Sequence, residues 1–195
     1  MAKFEYNHLK NYLKSWGQEV VNSAKENLRQ AGKGGGDLEN SITSKVYDLG
    51  DDWVVEFSMA DYGTFVDKGV KGAGGTIKSG DHEGSWGGRR WFMTYKGRRQ
   101  DAPYQFGTGS GSKGGMTKGI EAFVKKKGLQ PKAGGTIKGL QIAIMKVLWV
   151  KGIHGISFFQ KSLMHGLAEW ELDVAPEVKQ DIIDNLVTLP NIERA

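Results

Sequence analysis

The chain has 195 residues, 25% of them charged, a formal net charge of +5 and no cysteine. That is enough chain for one well-packed domain without covalent staples, and it excludes disulfides and thiolate metal sites. The opening MAKFEYNHLKNYLKSWG lacks the apolar core of a signal peptide. The most apolar run, LQIAIMKVLWV (140–150), is too short to span a bilayer and contains Lys146, so a soluble protein is expected.

In chain order, Tyr6, Leu9, Leu13, Trp16, Val20, Ala24 and Leu28 recur at helical spacing and predict a long first helix, ended by the breaker GKGGG from Gly32. Asp37 is placed to cap a short turn, LENSI. Two strands should follow. The second, Trp53 to Met59, alternates Trp53, Val55, Phe57 and Met59 with Glu56 and Ser58. The first lies around Thr43–Tyr47, and Leu49-Gly50-Asp51-Asp52 supplies the hairpin turn.

From Gly69 to Gly119 no period survives, although WGGRRWF (86–92) could form a strand or hairpin rung. Residues 62–140 carry 15 basic and 5 acidic side chains and 20 of the 29 glycines, between flanks of net −3 and −2. Partner contacts are expected in this basic middle. The hexapeptide AGGTIK occurs at 73–78 and 133–138, read as shared glycine-rich turn chemistry because two copies make no solenoid.

The C-terminal third reads as helical. Ser157 and Gln160 form a capping-box pattern ahead of a helix whose face would be Phe159, Leu163, Leu167 and Trp170. A last helix should have Pro176 in its first turn and bury Val178, Ile182 and Leu186. The expected fold class is α+β: a long N-terminal helix packed on a small antiparallel sheet, a long glycine-rich basic arm, and a helical C-terminal third. The expected division is 1–69 (helix and hairpin core), 70–136 (arm) and 137–195 (helices completing the core).

Chemistry-bearing motifs are few. FGTGSGSKGGMTKG (106–119) precedes IEAFVKKKG in the manner of an anion cradle, but no lysine meets the Walker spacing. Pro103 in the preceding DAPYQ argues against the strand that a dinucleotide fingerprint requires. Asp81-His82-Glu83 are too close together to converge on one metal ion. His154 and His165 read as helix residues, and no serine sits in a GxSxG elbow. No catalytic residue, metal or cofactor is expected, and the chain reads as a non-enzyme. Arg89, Arg90, Arg98 and Arg99, interleaved with Trp86, Trp91, Phe92 and Tyr95, suit either nucleic-acid backbones or protein interfaces. Lys125–Lys127 read as a solvated helix end.

ADYGTFVDKGVKG (60–72), directly after the strand WVVEFSM, resembles the central signature of tailed-phage head–tail connector and tail-completion proteins. Two further blocks, DAPYQFGTGSGSKGGMTKGIEAFV (101–124) and MKVLWVKGIHGISFFQKSL (145–163), resemble virion proteins of crAss-like gut phages. Where the third block commonly has Lys-Pro, this chain has His154-Gly155, while the paired Phe158 and Phe159 are kept for helix packing.

The resemblance implies a virion structural protein of the neck or tail region, made in the host cytoplasm. It would form a homo-oligomeric ring of six or twelve copies at the portal–tail junction and join portal, neck or tail proteins through its extended loop. Channel DNA is a further possible contact of the basic arm; no membrane or small-molecule substrate is implied. In this reading Tyr62, Gly63, Phe65, Val66, Asp67 and Gly69 form a structural turn, with Gly63 and Gly69 at positive φ or in close backbone approach. The contact arm comprises Trp86, Arg89, Arg90, Trp91, Phe92, Arg98, Arg99, Phe106, Gly107 and Lys113. The competing reading is a stand-alone nucleic-acid-binding protein acting through the +10 segment.

Overall fold

A computed structural model describes residues 5–50, 52–78, 84–86, 90–106, 115–168 and 170–188. Arg89, Gly107, Lys113 and Asp81-His82-Glu83 lie outside the described residues, as does the Trp86 side chain. The chain is α+β and divides into two units: 1–63 with 94–97 and 158–195, and 64–93 with 98–157.

The first unit is built on α1 (Asn7–Gln30), which buries Leu13, Trp16, Val20, Ala24 and Leu28 of the predicted face, and Val21 beside it; Tyr6, ahead of the helix, is exposed, and Leu9 is half-buried. The helix stops in a Schellman turn: Lys33 N–H donates to the Leu28 carbonyl, Gly32 N–H to the Arg29 carbonyl, and Gly32 takes φ +67°. A single turn, α2 (Asp37–Ser41), follows, with Gly36 at the N-cap position and Asp37 already inside the helix. β1 (Thr43–Asp48) and β2 (Trp53–Ser58) form an antiparallel hairpin, with Val46 opposite Val55. The inward residues of β2 are Trp53, Val55 and Phe57. Helix α1 lies on the hairpin at Gly17, where a Cβ would come within 3.0 Å of Ser44 Oγ.

Two more helices close this unit, α6 (Phe158–Ala168) and α7 (Trp170–Thr188). The buried line of α6 is Phe158 and Ser162, continuing to Gly166 against Trp16 and Val20, and differs from the expected Phe159, Leu163 and Leu167. Polar groups set that rotation. Asn27 Nδ2 donates to the Phe158 carbonyl and to Ser162 Oγ, and the Trp16 indole N–H donates to the Gly166 carbonyl. Phe159 instead joins an aromatic chain running Tyr12, Trp170, Trp16, Phe57, Phe159, with successive centroids 4.8–5.8 Å apart. Pro176 lies inside α7, not in its first turn, because Trp170 packs on Trp16 and Tyr12 and holds an extra turn ahead of it. Ile182 is 44% exposed and Asp181 is the buried residue, at 1%.

That carboxylate caps a helix distant in sequence. The N-cap position of α1, Tyr6, makes no side-chain cap bond, and Asp181 takes over its role: His8 N–H donates to Oδ1 and Leu9 N–H to Oδ2, both at 2.8 Å. Asn185 exchanges two bonds with the backbone of Glu5, and His8 Nε2 lies 3.0 Å from Asp184 Oδ2.

The second unit carries α3 (Gly63–Lys68) apart from its first residue, β3 (Gly69–Lys71), β4 (Gly75–Ile77), β5 (Gly84–Trp86), β6 (Trp91–Met93), β7 (Arg99–Asp101), β8 (Tyr104–Gln105), α4 (Gly115–Lys127), α5 (Ile137–Lys151) and β9 (Gly152–His154). Strands of two or three residues are too short to show a period, which is why the glycine-rich middle is silent in the sequence. β4 pairs with β5 and β6 with β7, both antiparallel; β3 is the centre of a sheet ordered β8-β3-β9. The two AGGTIK copies take different backbones. The first enters β4 and buries Ile77 to 5%. In the second, Thr136 caps α5 by accepting Gly139 N–H, leaving Ile137 42% exposed.

Candidate functional site

Two G-x-x-G tetrapeptides, GVKG (69–72) and GIHG (152–155), lie antiparallel, with Gly69 opposite His154, Val70 opposite Ile153 and Lys71 opposite Gly152. All four glycines are required by close backbone approach. A Cβ on Gly69 would meet Gly155 N and the Ile153 carbonyl, one on Gly72 the Val150 carbonyl, one on Gly152 the Val70 carbonyl and one on Gly155 the Asp67 carbonyl. Gly69 and Gly152 also take φ +77° and +75°. No side chain fits in the crossing, so its geometry is fixed by main chain.

The expected structural turn feeds this crossing. Gly63 starts α3, where a Cβ would come within 2.6 Å of Met59 Sδ, so packing and not a positive φ requires the glycine there. Tyr62 and Phe65 are exposed, at 46% and 42%, while Asp67 is 2% exposed. The carbonyls of Val66 and Asp67 accept Ile156 N–H and Ser157 N–H at 3.1 and 2.9 Å. The capping box expected of Ser157 and Gln160 is therefore not made. The Ser157 N–H is committed to Asp67, its hydroxyl accepts Met93 N–H at 2.7 Å, and Gln160 Oε1 accepts Tyr95 N–H. Ser157 holds φ +57°, a strained conformation for a non-glycine, kept in place by those two bonds.

The Ser157 hydroxyl ties down the β6–β7 hairpin, which presents the aromatic and basic residues singled out in the sequence. Phe92 is buried at 5%, under the Lys68 ammonium at 6.0 Å. The Arg99 guanidinium stacks on the Trp91 ring at 3.7 Å, and the His154 ring lies edge-on to Trp91 at 6.0 Å. Partial burial, and then the charge of Arg90, hold the His154 imidazole below its usual pKa, which favours its neutral form. Burial also lowers the Arg90 pKa. Lys71 Nζ is 3.6 Å from the exposed Asp101 carboxylate. On the β8 side, Phe65 meets Tyr104 at 4.5 Å, and Phe106, whose N–H donates to the Lys71 carbonyl, stacks on Trp149 at 5.9 Å.

Arg90, Trp91, Phe92, Arg99 and Phe106 are thus gathered around β3 and β6, with Arg98 exposed just before β7. Phe158 and Phe159 serve packing in the first unit. His154, expected to be a helix residue, lies instead in strand β9 opposite Gly69, because the Gly152 turn ends α5 before it; Lys68 and Lys71 were not singled out in the sequence. The assembly is a rim of cations and flat rings on a main-chain hub, suited to gripping anionic or planar groups. Among the described residues no group of three or more His, Asp or Glu could hold a metal ion, and no helix is long and apolar enough to cross a membrane. Compared with protein-family models, with curated proteins and with solved structures, the chain matches none.

Proposed function

We propose that the chain is a non-catalytic virion structural protein of the head–tail connector or tail-completion kind, forming a ring at the portal–tail junction. The observation that carries this reading is the convergence of the three resembling blocks on one small sheet. β3 comes from ADYGTFVDKGVKG, β8 from DAPYQ and β9 from WVKGIHG, and they are hydrogen-bonded in the order β8-β3-β9. Blocks scattered over a hundred residues thereby specify one structural unit. The rim of Trp91, Arg99, Lys71 and Tyr104 around it would meet neighbouring subunits, where Arg, Trp and Tyr supply most of the binding energy. A ring repeats each such contact, so individually weak pairs add through effective concentration.

The test is to delete the coding sequence in its phage and examine particles by electron microscopy. Separate tails and tailless, leaking heads are expected; intact infectious particles would sink the reading. The Arg99–Trp91 stack also favours a second reading, nucleic-acid binding by the chain alone. Binding of random DNA by monomer, with an affinity that falls steeply with salt, would support that one.

A further inference from the structure

Helices α4 and α5 form a strongly basic hairpin within the second unit. Between Gly115 and Lys151 there are eight lysines, one glutamate and no arginine, and seven of the eight lysines are exposed. On α5 the spacing of 4, 4 and 3 puts Lys138, Ile142, Lys146 and Trp149 in one line along the outer side of the helix. Ile142 is 52% exposed and Trp149 43%, and the Trp149 ring is backed by Phe106, stacked at 5.9 Å. Among the described residues Lys138 and Lys146 make no ion pair. Ammonium groups therefore alternate with apolar side chains on a single helix face, and no acid on α5 offsets them.

That alternation selects among anionic partners. A nucleic-acid backbone would neutralise the lysines and leave Ile142 in water, and the stripe carries no amide, hydroxyl or guanidinium to read a base. The headgroup layer of an anionic bilayer takes both kinds of group at once. Ile142 and Trp149 enter the boundary with the acyl chains, and the lysine stems lie along the same surface while their ammonium groups reach the phosphates. An indole suits that depth, being apolar over its face with one polar N–H.

We infer that α5 lies along an anionic lipid surface through Lys138, Ile142, Lys146 and Trp149, with Lys132 and the lysines of α4 adding long-range attraction. Among the described residues no helix is long and apolar enough to cross a membrane, so the contact is peripheral, reversible and weakened by salt. It goes beyond the ring reading and does not depend on it, so neither test bears on the other.

The experiment is flotation of the purified chain with vesicles of phosphatidylcholine alone, and of phosphatidylcholine with about a third phosphatidylglycerol, at low and high salt. The wild type should bind the anionic vesicles at least about tenfold more tightly than the neutral ones, and less tightly at high salt. Lys138→Glu with Lys146→Glu should weaken this binding by at least about tenfold. Ile142→Ser leaves the charge unchanged and should weaken it by about threefold or more. Lys10→Glu with Lys14→Glu on α1 makes the same change in net charge elsewhere and should stay within about twofold of wild type. All five positions are exposed, and circular dichroism checks that each variant folds. No preference for anionic vesicles, an Ile142→Ser variant that binds like wild type, or equal losses from the two lysine pairs would overturn the inference. So would a chain that binds a random single-stranded DNA and leaves the vesicles unbound, which would assign the face to nucleic acid.

Discussion

Replacing Asp181 by alanine removes both acceptors that satisfy the first turn of α1. The carboxylate is 1% exposed and takes two N–H bonds at 2.8 Å. Loss of an N-cap side chain costs about 0.5–2 kcal/mol, and loss of a negative charge at a helix N-terminus costs about 0.3–1 kcal/mol more. The donors themselves are part-buried, so the two costs together amount to about 1–3 kcal/mol. For a chain of this size that corresponds to roughly 2–12 °C in Tm.

Asp181→Asn keeps one acceptor and loses the charge, and should cost about half as much. Urea unfolding monitored by tryptophan fluorescence reads both, since Trp16 and Trp170 belong to the aromatic chain between α1 and α7. Amide exchange at His8 and Leu9 should accelerate in Asp181→Ala more than exchange at the middle of α1. A cost below about 0.5 kcal/mol, or identical costs for alanine and asparagine, would refute the capping argument.

Gly69→Val forces a β-branched residue into φ +77° and drives its Cβ into backbone of β9; loss of more than about 3 kcal/mol, read by thermal melting, is expected. Phe158→Ala empties a fully buried site and should cost about 3–5 kcal/mol by denaturant titration. The Glu39 carboxyl is held below its ordinary pKa by the Gly35 N–H and then by the Arg29 guanidinium. Its contribution is therefore complete above the ordinary glutamate value of about 4.3 and is lost as pH falls through the lowered one. Glu39→Gln should flatten that acid limb in a pH series of melting temperatures, and an unchanged limb would count against the assignment.

What the sequence made legible was local. Helix α1 was readable because its apolar side chains repeat at 3 and 4, and β2 because its residues alternate; each pattern is a direct image of one buried face. The end of α1 was readable because only glycine suits the positive φ of its Schellman turn. The Asp181 cap was not readable, since donor and acceptor are 173 positions apart and any exposed-looking aspartate would fit the pattern. The face of α6 was misjudged because Ser162 and Gly166, not the larger apolar residues, are what Asn27 and Trp16 select. Identical AGGTIK segments ending as strand and as helix show how completely surroundings override six residues of sequence.

The G-x-x-G pair bears on function through a separation of roles. A crossing made of main chain leaves no side chain to adjust, so substitution at its glycines acts on folding first. Of the residues that could meet a partner, Trp91, Arg99 and Tyr104 sit on neighbouring strands, while Lys71 belongs to the crossing strand and reaches Asp101 with its ammonium. Exposed substitutions such as Arg99→Ala remove a stack on Trp91 and little buried area, so they should leave stability within about 0.5 kcal/mol while altering contact. The atoms that hold the crossing and the side chains proposed to meet a partner are therefore different, and they are spread over two small sheets of one unit. That division lets contact chemistry be changed without unfolding the unit that presents it, as a protein read as fitting its neighbours in a repeated assembly requires.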